Sequence, residues 1–165
     1  MAYSEDFVEF ATAAVPRLRR TAFLLCGDWH YAEDLAQTTL TKMFVSWRRI
    51  RRQDAAFSYA SRTLVNTYLA DRRSRRAREV VTDSVPEQLI MPESQETRLV
   101  IMAALATLPP RARAAVVLRY WADMSIEQVA DVLGCSAGTV KSQCARSLVK
   151  MKFFLEEDQE VEHHG

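Results

Sequence analysis

Ser136, Thr139, Lys141, Ser142, Ala145 and Arg146 lie in the stretch "CSAGTVKSQCAR", where a helical spacing would gather hydroxyl, ammonium and guanidinium groups on one outer side. A helix face of that kind can donate to phosphate oxygens and to base edges in a DNA groove. The residues just before it supply the device that would aim it. Ser125-Ile126-Glu127-Gln128 has the form of a capping box, in which the serine bonds a backbone N–H three residues on and the glutamine reaches back. Met124 and Val129 can add the apolar staple of the same start. Gly134 can take the left-handed conformation that ends a first short helix, and Ser136 can cap a second. Ala130, Gly134 and Val140 then offer a small residue at a helix crossing, a glycine at the turn and a branched anchor. A helix-turn-helix has those needs. The spacing predicts Ile126, Val129, Ala130 and Leu133 inside from the first helix, and Val140, Cys144, Leu148 and Met151 from the second.

A second basic block, "LADRRSRRAR", lies far upstream at Leu69–Arg78. It ends a helical pattern in which Phe57, Ala60, Leu64 and Tyr68 turn inward while Arg62, Asn66 and Arg73 share the opposite face. Arginines there suit phosphates, and the amide of Asn66 can read a base edge. Trp47, Phe57, Tyr59 and Tyr68 could stack on unpaired bases. Tyr59 is the best placed, because Phe57 and Tyr68 belong to the inner face.

Little else offers reactive chemistry. His30, His163 and His164 are scattered, and Cys26, Cys135 and Cys144 are odd in number without metal-ligand spacing. There is no phosphate loop and no nucleophile–base pair. No catalytic residue, metal or cofactor is expected, and three unpaired thiols suit a reducing cytoplasm. The acidic start, "MAYSEDFVEF", lacks the basic region of a signal peptide. No apolar run nears the ~18 residues of a membrane span, so no membrane contact is expected.

The elements that must carry these residues read as helices throughout. Ala32, Leu35, Ala36, Thr39, Leu40, Met43, Phe44 and Trp47 recur at steps of three and four and define one buried face. That leaves Glu33, Asp34, Gln37, Thr38 and Thr41 outside or on its flank. Pro16 is expected to interrupt or start a helix, Gly27 to close one, Asp54 to cap one and Pro110 to sit in a first turn. The net charge of +1 over 165 residues hides segregation. Residues 1–78 hold 14 basic and 8 acidic side chains, and 98–155 hold 8 and 3. Residues 79–97 and 156–165 hold 5 acids each and no Lys or Arg. The expected architecture is all-α: a first helical domain at 1–78, a mostly extended acidic linker at 79–97, a second domain at 98–155 and an acidic tail at 156–165. Two basic lobes divided by acid suit a polyanion at each lobe.

Three motifs in order resemble a known family. "LPPRARAAVVLRYWADMSIEQVADVLGCSAGTVKSQCARSLVKMK" resembles region 4 of the bacterial sigma factors of the extracytoplasmic-function group. "YAEDLAQTTLTKMFVSW" resembles their region 2.2, and "RRIRRQDAAFSYASRTLVNTYLADRRSRR" their regions 2.3 and 2.4. The resemblance implies a sigma factor that binds core RNA polymerase at the β′ clamp helices and the β flap and directs it to promoter DNA. Glu33, Asp34, Gln37, Thr38 and Thr41 would meet the polymerase. Arg52, Gln53, Asp54, Tyr59, Arg62, Asn66 and Arg73 would read the −10 element, with the loop from Arg52 to Ala56 forming the pocket for a flipped base. Ser136, Thr139, Lys141, Ser142, Ala145 and Arg146 would read the −35 element. An anti-sigma protein as inhibitor is implied as well. Lys141 departs from the family, where arginine is common, and lysine cannot grip guanine with a planar fork, so the −35 preference is expected to differ. A response-regulator-like factor with a similar C-terminal motif is the rival, and the want of alternating strand signals speaks against its α/β receiver.

Overall fold

The computed structural model describes residues 2–50, 53–75 and 94–163. Within them every regular element is a helix: α1 Ala2–Cys26, α2 Trp29–Ser46, α3 Gln53–Arg75, α4 Gln95–Ala106, α5 Pro110–Tyr120, α6 Ile126–Leu133 and α7 Ala137–His163, with a 3-10 turn at Trp47–Arg49. The chain divides into two compact units, Met1–Pro86 and Glu87–Gly165.

In the first unit α1 packs on both α2 and α3, which also pack on each other. The reason is the apolar stripe. Leu18, Ala22 and Leu25 of α1, Leu35, Ala36 and Met43 of α2, and Ala60, Leu64, Val65 and Tyr68 of α3 are all buried. Thr39 is buried in the same layer, and its hydroxyl is satisfied by donating to the Leu35 carbonyl at 2.7 Å. Asp28 caps α2 by accepting from the N–H groups of His30 and Tyr31. Polar pins join the helices at their edges. The Tyr31 hydroxyl donates to Asp71 at 3.0 Å, and the Arg17 guanidinium lies 3.8 Å over the Phe57 ring.

Several local expectations give way here. Pro16 sits inside α1 instead of breaking it. Pro16 and Thr12, whose carbonyl loses its usual partner, are both on the exposed side, so water can satisfy that group. The helix α3 starts at Gln53, not after an Asp54 cap, and Gln53 to Ala56 are its first turn instead of a loop. Ala56 is fully buried and alanine is the best helix former, which draws the helix start upstream. Trp47 is buried with the α2 stripe, as its spacing predicts, but its ring lies 5.5 Å from Phe7 and 5.2 Å from Phe10, so the alternative role of stacking on a base fails. Phe44 is half out of the core, edge-on to Phe7 at 5.1 Å.

In the second unit α4, α5 and α6 all pack with the long α7 or with one another. Helix resumes at Gln95, three residues before the expected Arg98, because Ser94 caps it by accepting from the Thr97 N–H at 3.2 Å. Residues 79–93 of the expected linker lie outside the described residues. Pro110 stands in the first turn of α5, where its missing N–H costs nothing. The acidic stretch from Glu156 is not a separate tail up to His163, since α7 runs through it without a break.

Candidate nucleic-acid and polymerase interfaces

The turn between α6 and α7 is built as its residues require. Ser125 Oγ accepts from the Gln128 N–H at 3.1 Å and the Gln128 Oε1 accepts from the Ser125 N–H at 2.8 Å, so the capping box is complete. Met124 and Val129 are both buried beside it. At the other end Gly134 has φ 66° and ψ 40°. The Cys135 N–H bonds the Ala130 carbonyl at 3.0 Å and the Gly134 N–H bonds Asp131 at 3.4 Å, the two hydrogen bonds of a Schellman turn. Ser136 then caps α7 by accepting from the Thr139 N–H at 3.1 Å, and the two hydroxyls lie 2.8 Å apart.

A methyl group on Gly134 would meet no atom within 4 Å, so only the backbone resists it. A left-handed non-glycine residue costs about 1–2 kcal/mol, offset in part by the lower entropy of the unfolded alanine chain. Gly134→Ala is expected to lower the stability of the second unit by about 1 kcal/mol, a fall of several degrees in its thermal midpoint. An unchanged midpoint would show that the turn does not depend on this conformation.

On α7, Val140, Cys144, Ser147 and Met151 are buried. Leu148, expected inside, is 41% exposed, and Ser147 takes its place because the buried stripe steps by four, three and four. Burial pushes the Cys144 thiol up from its ordinary range, and the Arg119 guanidinium opposes that. Ser136, Thr139, Lys141, Ser142, Ala145 and Arg146 are all exposed. At ~100° per residue, Lys141 and Arg146 stand about 140° apart, with Ser142 and Ala145 between them. A cation on each flank and small groups in the middle fit a groove with phosphates on both walls and base edges on its floor. Val149 and Phe153 continue the same outer side, 55% and 63% exposed, and sequence reasoning missed them. Their helical offset from Ser142 is the signal that could have found them.

On the first unit, Asp34, Gln37, Thr38 and Thr41 are exposed along α2. Glu33 is not equally available: it is half-buried and ion-paired with Arg19, whose guanidinium also lies 4.6 Å over the Trp29 ring. Tyr59, Arg62 and Asn66 are exposed on α3. Arg52 lies outside the described residues, as do the side chains of Gln53, Asp54 and Arg73. A groove of about 530 Å³ runs between α2 and α3 and brings Thr41 together with Tyr59 and Asn66. Lys42 lines it and donates to the Thr67 hydroxyl at 2.9 Å. Among the described residues no three His, Cys, Asp or Glu side chains are grouped to hold a metal, and no helix is long and apolar enough to cross a membrane.

A fully capped helix-turn-helix whose second helix presents cations outward defines a DNA-binding protein of the helix-turn-helix class. Comparison with known proteins narrows the class. The family model described as sigma-70 region 2 matches residues 10–78, and that described as sigma-70 region 4 matches residues 98–151. The RNA polymerase sigma-E factor of Streptomyces coelicolor is 36% identical over 89% of this chain and 84% of its own length. The ECF RNA polymerase sigma factor SigL of Mycobacterium tuberculosis is 33% identical over 85% of this chain and 83% of its own. The sigma factor RpoE of Bartonella quintana, solved in complex with the anti-sigma factor NepR, superimposes with a TM-score of 0.79 at 25% identity, covering 92% of this chain and 98% of that one. The chain belongs to the sigma-70 family of transcription initiation factors, and its relatives place it with the extracytoplasmic-function sigma factors. It directs promoter-specific initiation by RNA polymerase.

Proposed function

We propose that the two units divide the work of initiation between them. The outer side of α2, through Asp34, Gln37, Thr38 and Thr41 with Glu33 at its rim, docks on basic side chains of core RNA polymerase. The outer side of α3, through Tyr59, Arg62 and Asn66, reads the −10 element, together with Arg52, Gln53, Asp54 and Arg73. The outer side of α7 reads the −35 element. The observation that carries this reading is the exposed Lys141–Arg146 face, held in place by a capping box and a Schellman turn. The factor contributes no catalytic group; RNA synthesis belongs to the polymerase, and the chain works in the cytoplasm where that enzyme is. An anti-sigma protein is its expected inhibitor, as in the Bartonella complex.

Reconstituted transcription tests this directly. Core polymerase with this chain, given a library of promoter fragments with two randomised elements, should enrich one −35 sequence and one −10 sequence at fixed spacing. Enrichment of a single element bound tightly without polymerase would replace this reading with that of an ordinary repressor or activator.

A further inference from the structure

The helix α5 carries Arg111, Arg113 and Arg119, which by charge alone would join the DNA-facing cations of the second unit. Their contacts point elsewhere. Arg111 Nη2 donates to the Leu133 carbonyl at 2.6 Å, and Arg119 Nη1 donates to the Met124 carbonyl at 3.2 Å. Arg113 is buried. Leu133 is the last residue of α6, and Met124 stands just before its Ser125 cap. The two arginines are eight residues apart, about 12 Å along a helix, and α6 has 8 residues, about the same length. One helix therefore grips the next at both ends.

Hydrogen-bond accounting shows why the grip matters. A helix ends with four carbonyls lacking intrahelical partners. In α6 the Schellman turn satisfies those of Ala130 and Asp131. The Leu133 carbonyl, nearest the turn, is satisfied by Arg111, whose charge also suits the negative end of the helix. Past that carbonyl the chain has only Gly134, Cys135 and Ser136 before α7 begins. The helix α5 that carries both arginines also packs on α7.

We infer that Arg111 is a positioning residue for promoter reading, fixing the end of α6 and so the angle at which α7 leaves the turn, with Arg119 fixing the start of α6. This rests on the proposed −35 role of α7. The competing role is a plain phosphate contact.

The test uses holoenzyme assembled from core polymerase and the full chain. Binding is measured to a library-selected promoter and to the same fragment with its −35 element scrambled, across a salt series. For Arg111→Met the specific-to-scrambled ratio should fall at least about fivefold, the loss that one mismatched base pair causes, while the salt slope stays unchanged. A slope shallower by about 0.9 with an unchanged ratio is the signature of a phosphate contact and would overturn the proposal. So would no change in either quantity. Arg111→Lys is measured alongside and decides the matter if Arg111→Met does not fold. It keeps the cation, so a phosphate contact survives and the ratio holds, whereas a positioning role predicts a lower ratio because a shorter stem without a planar fork cannot hold the carbonyl in the same way. Lys141→Ala and Arg146→Ala serve as references. If they leave the ratio unchanged, the −35 role of α7 fails, and the inference with it. If they lower it and both Arg111 variants do not, Arg111 alone is dismissed.

Discussion

Replacing Asp34 and Gln37 together by arginine should weaken binding to core polymerase at least about tenfold at low salt while leaving the thermal transition of the first unit in place. Both side chains are exposed on α2, away from the stripe of Leu35, Ala36, Thr39 and Met43 that holds the helix to its neighbours. Neither change opens a cavity, so the fold has no reason to fail. Rim charges act chiefly on association rate and partner choice, and a carboxylate turned into a guanidinium replaces attraction to basic side chains with repulsion. The defect should shrink as salt rises, because the Debye length falls from about 10 Å at 0.1 M to about 3 Å at 1 M. Glu33 is left out of the variant. Its carboxylate is ion-paired with Arg19, and reversing it would disturb the α1–α2 contact as well as any outer surface. Competition against a labelled reference sigma factor for core enzyme reads the effect. Undiminished competition at 0.1 M salt would remove α2 from the polymerase interface.

That design shows where sequence and structure part. The caps and turn of the helix-turn-helix were legible because their signals are local: a serine and glutamine three apart, a glycine and a cap, all within a dozen positions. The α2 stripe was legible because eight positions repeat one period, which outweighs any single error, such as Phe44. What failed depended on partners distant in sequence. Trp47 belongs to the buried stripe and is also an aromatic at the edge of a basic run, and the stacking role fails because Phe7 and Phe10 of α1 close over its ring. Ser147 and Leu148 are adjacent, so a shift of one position in phase decides which is buried, and hydrophobicity chose the wrong one. Arg19 and Arg111 carry no local signal of the groups they bind. Their carboxylate and carbonyl partners lie 14 and 22 residues away, beyond the reach of any helical period.

The largest effect is expected at α7. Alanine at both Lys141 and Arg146 should cut transcription from a library-selected promoter by about two orders of magnitude. A well-formed contact to a base edge is worth about 1–3 kcal/mol of discrimination, and two contacts on opposite flanks of a helix with no shared partner should nearly add. The fold should survive, since Val140, Cys144, Ser147 and Met151 keep α7 in the unit and none of them is changed. Core binding through α2 should be untouched, because the variant sites lie in the other unit. A defect of this origin has a signature. It should appear as lost occupancy of the −35 element with polymerase still recruited, and it should vanish on a fragment whose −35 element is already scrambled. Single variants sort the roles. Arg146→Lys keeps a cation but loses the planar fork, so a base-reading arginine would forfeit most of its discrimination while a phosphate-binding one would not. Lys141→Arg adds a fork where the family commonly has one, and a shift in the preferred −35 sequence would mark Lys141 as a reader of bases. If the double alanine variant transcribes the selected promoter at more than about half the original rate, the exposed face of α7 does not read DNA.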